Sequence, residues 1–181
     1  MKRIFVLLFI SFLYACSLST DKIIDKEKLS FSYTDDAYIF FRNIRQSNYD
    51  LEILEEADWR IYRHEDRQKG SNQFFNTAIV VNWRINKAYA ILEISEKVEK
   101  ENLTLQWSNP DGQKQGEIIL KGLQRQQELA FLTEVYNHIL RGNQLSWSPD
   151  GQNQTPLFSN NDYKEAFRVS MYDFYRLTGV L

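Results

Sequence analysis

The spacing of apolar residues changes period once along this chain, near residue 123, and no other feature restricts its fold as strongly. Before that point the apolar and aromatic residues fall in short runs. Asp58 to His64 alternates, with Trp59, Ile61 and Arg63 on one face and Arg60, Tyr62 and His64 on the other. Phe74 to Arg84 and Lys87 to Ile94 are the most strand-like stretches, joined around Ile85-Asn86-Lys87. Phe31, Tyr33 and Ala37 to Phe41 also carry strand-forming residues, broken by Thr34-Asp35-Asp36. Asn102 to Trp107 and Gly116 to Leu120 flank the turn sequence Asn109-Pro110-Asp111-Gly112. Beyond the switch, Leu129, Leu132, Tyr136, Ile139 and Leu140 recur at helical spacing within Leu123 to Arg141, and Gly142 is placed to end that helix. A second helix is expected from Tyr163 to Leu177, opened by Asp162 with Glu165 as a capping box and closed at Gly179. Strands followed by helices predict an α+β fold: an antiparallel sheet of about five or six strands, with two C-terminal helices packed on one face.

The N-terminus follows a different logic. Lys2 and Arg3 precede an apolar run from Ile4 to Ala15, interrupted only by Ser11. The run is too short to span a hydrocarbon core, which needs about 20 residues, and has the length of a signal-peptide core, roughly 7–15. Its end, Leu13-Tyr14-Ala15-Cys16, resembles the lipobox of bacterial lipoproteins: Leu at −3, a small residue at −1 and Cys at +1. Tyr14 departs from the small or branched residue usual at −2. Leu13 suits an ordinary secretory cut after Ala15 poorly. The resemblance implies cleavage between Ala15 and Cys16, a diacylglycerol on the Cys16 thiol, and an acyl chain on the new amine. Cys16 is the only cysteine, so it has no disulfide partner within the chain. Ser17 at +2 resembles the class sorted to an outer membrane. The expected organisation is a cleaved signal peptide over 1–15, a lipidated tether over 16–28 and one α+β domain over 29–181. The expected partner is a membrane, gripped through lipid on Cys16 at about 0.8 kcal/mol per buried methylene.

Charge narrows the function classes. Removing Lys2 and Arg3 leaves 20 basic against 24 acidic side chains, a net charge of −4. That balance argues against nucleic acid. No motif calls for a cofactor or a metal: there is no HExxH, no glycine-rich phosphate loop and no alternating acidic calcium loop. No G-x-S-x-G or supported S-x-x-K points to a nucleophile. The histidines are His64, beside Glu65 and Asp66, and His138 on the first expected helix. Adjacent strand residues point to opposite faces, so His64 and Glu65 cannot act as one unit. Leu105 to Gln113 (LQWSNPDGQ) is echoed by Leu145 to Gln152 (LSWSPDGQ). The helix between the copies excludes a propeller blade, and the echo reads as two similar turns rather than a shared ligand site. Trp59 to Lys69 mixes aromatic and basic residues and reads as an edge strand protected by charge, with an anionic glycan or a partner as the alternative. These readings leave a scaffold or docking module for another envelope protein first. A ligand-binding lipoprotein walled by Trp59, Arg63, Trp83, Trp107 and Trp147 comes second. An envelope hydrolase, with a site that one sequence does not reveal, comes last; two close carboxylates, or His64 near an acid, are what it would need.

Overall fold

The computed structural model describes residues 21–70, 73–96, 98–101, 103–149 and 151–181. Ala15, Cys16, the whole lipobox, Asn102 and Asp150 lie outside the described residues.

The architecture is α+β, with two four-stranded antiparallel sheets in place of one larger sheet. The first sheet is a meander of β1 (Tyr49–Leu54), β2 (Trp59–His64), β3 (Phe75–Asn82) and β4 (Lys87–Ile94), in that order. The second holds β5 (Thr104–Ser108), β6 (Gln115–Ile119), β7 (Gln144–Trp147) and β8 (Thr155–Pro156), in the order β6-β5-β7-β8. The helices are α1 (Asp35–Phe40), α2 (Arg125–Leu140) and α3 (Asn161–Leu177). The two C-terminal helices pack on strands: α2 reaches β4 of one sheet and β6 and β7 of the other, while α3 lies on β2, β3 and β4.

Several expectations need correction. Ala37 to Phe41 is helical, because Thr34 accepts a hydrogen bond from the Ala37 amide and Asp35 and Asp36 fill the first turn. A π-turn over Phe41–Arg45 follows. Tyr49–Leu54 is a strand the periodicity did not mark, since five of its six residues are exposed. It forms the edge of the first sheet, so β2 is interior and the charge on Trp59 to Lys69 protects no edge. The cap of α3 is Asn160, which accepts from the Tyr163 amide, rather than Asp162. Gln124 and Gln127 form the capping box of α2.

The core lies between the inner faces of the strands and the two long helices. Tyr62, Ile79, Val81, Ala90 and Leu92 meet Leu129, Leu132, Phe167, Met171 and Phe174 there. Leu105, Ile118 and Trp147 extend the same core under the second sheet. Part of the segment expected as a tether is fixed to this body. Ile24 is buried, its N–H donates to Asn137 Oδ1 at 2.8 Å, and Asn137 Nδ2 donates to its carbonyl at 2.9 Å. Asp21 pairs with Arg168, and Lys26 with Glu134. Among the described residues no helix is long and apolar enough to cross a membrane.

Candidate functional site

The two echoed segments are neighbours in space. Leu105 to Ser108 and Gln144 to Trp147 run antiparallel as β5 and β7, so the Leu of each copy faces the Trp of the other: Leu105 opposite Trp147, and Trp107 opposite Leu145. Both turns end alike, with Gly112 at φ +70° donating to Asn109 O and Gly151 at φ +70° donating to Ser148 O. The turn reading therefore accounts for the local backbone. It misses that both copies line one groove.

That groove has a volume of ≈ 900 Å³. Strand alternation fixes its floor. Leu105, Ile118 and Trp147 point into the core, which turns Gln106, Glu117, Ser146 and their i±2 neighbours outward. Two polar rows result. Gln115, Ser108 and Gln144 stand side by side on β6, β5 and β7. Glu117, Gln106, Ser146 and Pro156 form the next row. Ile139 and Asn143 at the end of α2, then Gln154 to Pro156, Phe158, Asn160, Asn161 and Lys164 complete the lining. Seven lining residues are amides, and two of nineteen, Glu117 and Lys164, are charged. Charged residues make up 25% of the whole chain, so this is no ordinary solvated face. Among the described residues, the side-chain amides of Gln106, Gln115, Gln144, Gln154 and Asn161 form no hydrogen bond within the protein.

Trp107 is held firmly at the groove. Its ring lies 4.5 Å from that of His138, and it covers Gly116, where an added Cβ would stand 2.9 Å from Nε1. Asn143 Nδ2 sits 2.6 Å from His138 Nδ1 and fixes that ring in turn. Burial holds the His138 proton affinity below its usual value, so the imidazole is neutral near pH 7.

The other expected site residues go elsewhere. Trp147 is core, 3% exposed. Trp59 packs beside Ile61, Ala78 and Val80 on the outer face of the first sheet. Trp83, 45% exposed in the turn after β3, lies 5.9 Å from the Arg60 guanidinium. Arg63 is committed to Glu93 at 2.7 Å and Glu52 at 2.6 Å. Arg67 and Lys69 both pair with Asp50, at 2.5 and 3.0 Å. Three of the four basic side chains of the segment are thus paired with carboxylates, and Arg60 donates to the Tyr38 hydroxyl. The structure brings Trp107 and Trp147 into one sheet and leaves Trp59 and Arg63 on the other, with Trp83 in the turn after β3.

Two buried carboxylates escaped notice in the sequence. Asp173, on α3, accepts from Arg45 Nε at 2.8 and 3.0 Å and from the Tyr49 hydroxyl at 2.8 Å. Burial, then the Asp173 charge, holds the Tyr49 hydroxyl well above the usual range. Glu128, 2% exposed, accepts from Leu92 N at 3.0 Å, Lys100 Nζ at 2.7 Å and Arg125 Nη1 at 3.0 Å. Both carboxylates have cationic partners, as buried charge requires. His64 stacks edge-on to Tyr49 at 5.3 Å, and its Nδ1 accepts from the Asp66 amide at 3.2 Å. Among the described residues no group of three or more His, Cys, Asp or Glu is placed to hold a metal ion.

No protein-family model, no curated protein and no solved structure matches this chain.

Proposed function

We propose that the protein is a lipid-anchored lipoprotein of a bacterial outer membrane whose domain binds a ligand in the amide-lined groove. The observation that carries the binding function is the concentration of unengaged side-chain amides over two adjacent strand rows. Groups of this kind bind whatever supplies matching donors and acceptors, and catalysis asks for acids, bases or nucleophiles instead.

Anchoring rests on the lipobox resemblance, and the docked N-terminal segment gives it a physical consequence. Asp21 is already held by Arg168, so the leash from Cys16 is five peptide steps. Fully extended, that reaches about 18 Å. Lys164, which lines the groove, lies one helical turn before Arg168 on α3. A domain so tied works at the bilayer surface rather than at a distance from it. Labelling cells with a palmitate analogue tests the anchor: the wild-type chain takes up label and sediments with membranes, and Cys16→Ala abolishes both. Undiminished labelling of Cys16→Ala refutes the anchor.

Docking of another envelope protein is the second reading, favoured by β1. Leu51, Ile53 and Leu54 are exposed on an edge strand, whose open backbone groups offer a template for an added strand from a partner. Proline at Leu51 abolishes capture of a partner by this route and leaves groove binding intact.

A further inference from the structure

We infer that the ligand of the groove is a neutral, hydroxyl-rich glycan segment; this rests on the reading of the groove as the binding site. A sugar hydroxyl is donor and acceptor at once, and so is a side-chain amide, with two N–H donors and a carbonyl acceptor. The floor presents such groups in register. Gln115, Ser108 and Gln144 stand on neighbouring strands at the usual spacing of about 4.8 Å, with Gln106 and Ser146 in the next row on the same face. A chain of linked sugar rings, polar around its rim, meets two such rows along its length.

Charge decides against the nearest alternatives. Glu117 and Lys164 are of opposite sign, so the lining carries no net charge. A polyanion, whether nucleic acid, sulfated glycan or anionic lipid headgroup, finds no cationic surplus there. An extended peptide also offers amides to amides, but its side chains need apolar pockets. The lining's larger aromatic side chains are already occupied: Trp107 packs over Gly116 and against His138, and Phe158 packs on Phe75 and Phe167. The groove is built for a polar backbone without large side groups.

The test uses the full chain in a zwitterionic, sugar-free detergent and follows side-chain amide resonances by nitrogen–proton correlation spectroscopy. The probes are chitohexaose, cellohexaose and maltohexaose, with a heparin hexasaccharide and a mixed octapeptide library for comparison. The expected result is that at least one neutral hexasaccharide shifts the NH₂ signals of the groove glutamines saturably, while the heparin fragment does not. The double variant Gln106→Ala/Gln144→Ala then binds about tenfold more weakly, as the loss of two or more hydrogen bonds implies. Both side chains are exposed, so the variant keeps its fold, checked by unchanged backbone resonances. Shifts produced by the octapeptides and by none of the neutral sugars overturn the glycan assignment and leave the groove a binding site. Shifts produced by no probe overturn both. Palmitate labelling reads the anchor separately and is indifferent to either result.

Discussion

At the scale of single residues, the decisive features are buried polar groups and what satisfies them. Asp173 is wholly buried and holds Arg45 from the π-turn and Tyr49 from β1 against α3. Replacing it by Asn leaves Arg45 without its counter-charge. Asp173→Asn is expected to cost about 3 kcal/mol, read as a lower urea midpoint with an unchanged slope. Tyr49→Phe removes one donor and costs about 1 kcal/mol, because Arg45 still satisfies the carboxylate. Tyr136 presents the opposite case. Its hydroxyl is buried with no hydrogen-bond partner among the described residues, so Tyr136→Phe should raise stability by about 1 kcal/mol. The histidines contribute to the pH response below neutrality. Burial lowers the proton affinity of both His64 and His138 relative to the unfolded chain, whose imidazoles titrate near about 6.5. The unfolded state therefore binds more protons at these two sites as the pH falls, so their contribution to stability is complete above about 6.5 and declines below it. Replacing both by Asn should flatten the decline in urea midpoint between pH 6.5 and 5, a range above that in which ordinary carboxylates titrate.

At the scale of elements, the two edges of the first sheet are treated differently. On β4 the Ala88 amide donates to Phe31 O at 2.7 Å and the Leu92 amide to Glu128 at 3.0 Å, so chain and helix close that edge. The β1 edge carries Asp50 and Glu52 as its charges and stays exposed. Glu128 thus joins α2 to β4 while pairing with Lys100 and Arg125. Glu128→Ala strips a buried amide and two cations of their partner. It should cost about 3 kcal/mol and raise hydrogen exchange at Leu92 before the rest of β4. In the second sheet, the closeness of Trp107 to Gly116 fixes the shape of the groove. Gly116→Ala forces the indole to move and should cost about 1–3 kcal/mol, with a shift in tryptophan emission.

At the scale of the whole molecule, α2 is the common support, meeting both sheets and the N-terminal segment through Asn137. That contact fixes residues 21–28 to the body. Asn137→Ala removes both hydrogen bonds to Ile24 and should free residues 21–28 without unfolding the body. Limited trypsin digestion then cuts after Lys22, Lys26 and Lys28 faster than in the wild type, while the remaining fragment stays resistant. An unchanged rate would mean that Ile24 burial and the Asp21–Arg168 pair suffice by themselves.

Local and nearest-neighbour physics was legible in the chain: β2 to β6 and the two long helices fall where alternation, helical spacing and turn residues put them. Helix α1 was misread because Tyr38, Ile39 and Phe40 favour strands, whereas the Thr34 cap and the packing of Phe41 between Tyr49 and Tyr62 select a helix. β1 escaped because an exposed edge strand carries no inward stripe. The division into two sheets could not be read, since pairing partners are set by which strands the helices bring together, not by spacing along the chain. The echo of Leu105 to Gln113 in Leu145 to Gln152 was visible as sequence, but only antiparallel pairing of β5 with β7 turns two separate segments into one groove. The buried roles of Asp173 and Glu128 are of the same kind. A carboxylate looks the same in a sequence whether its charge faces water or, 128 residues away, an arginine that tertiary folding alone supplies.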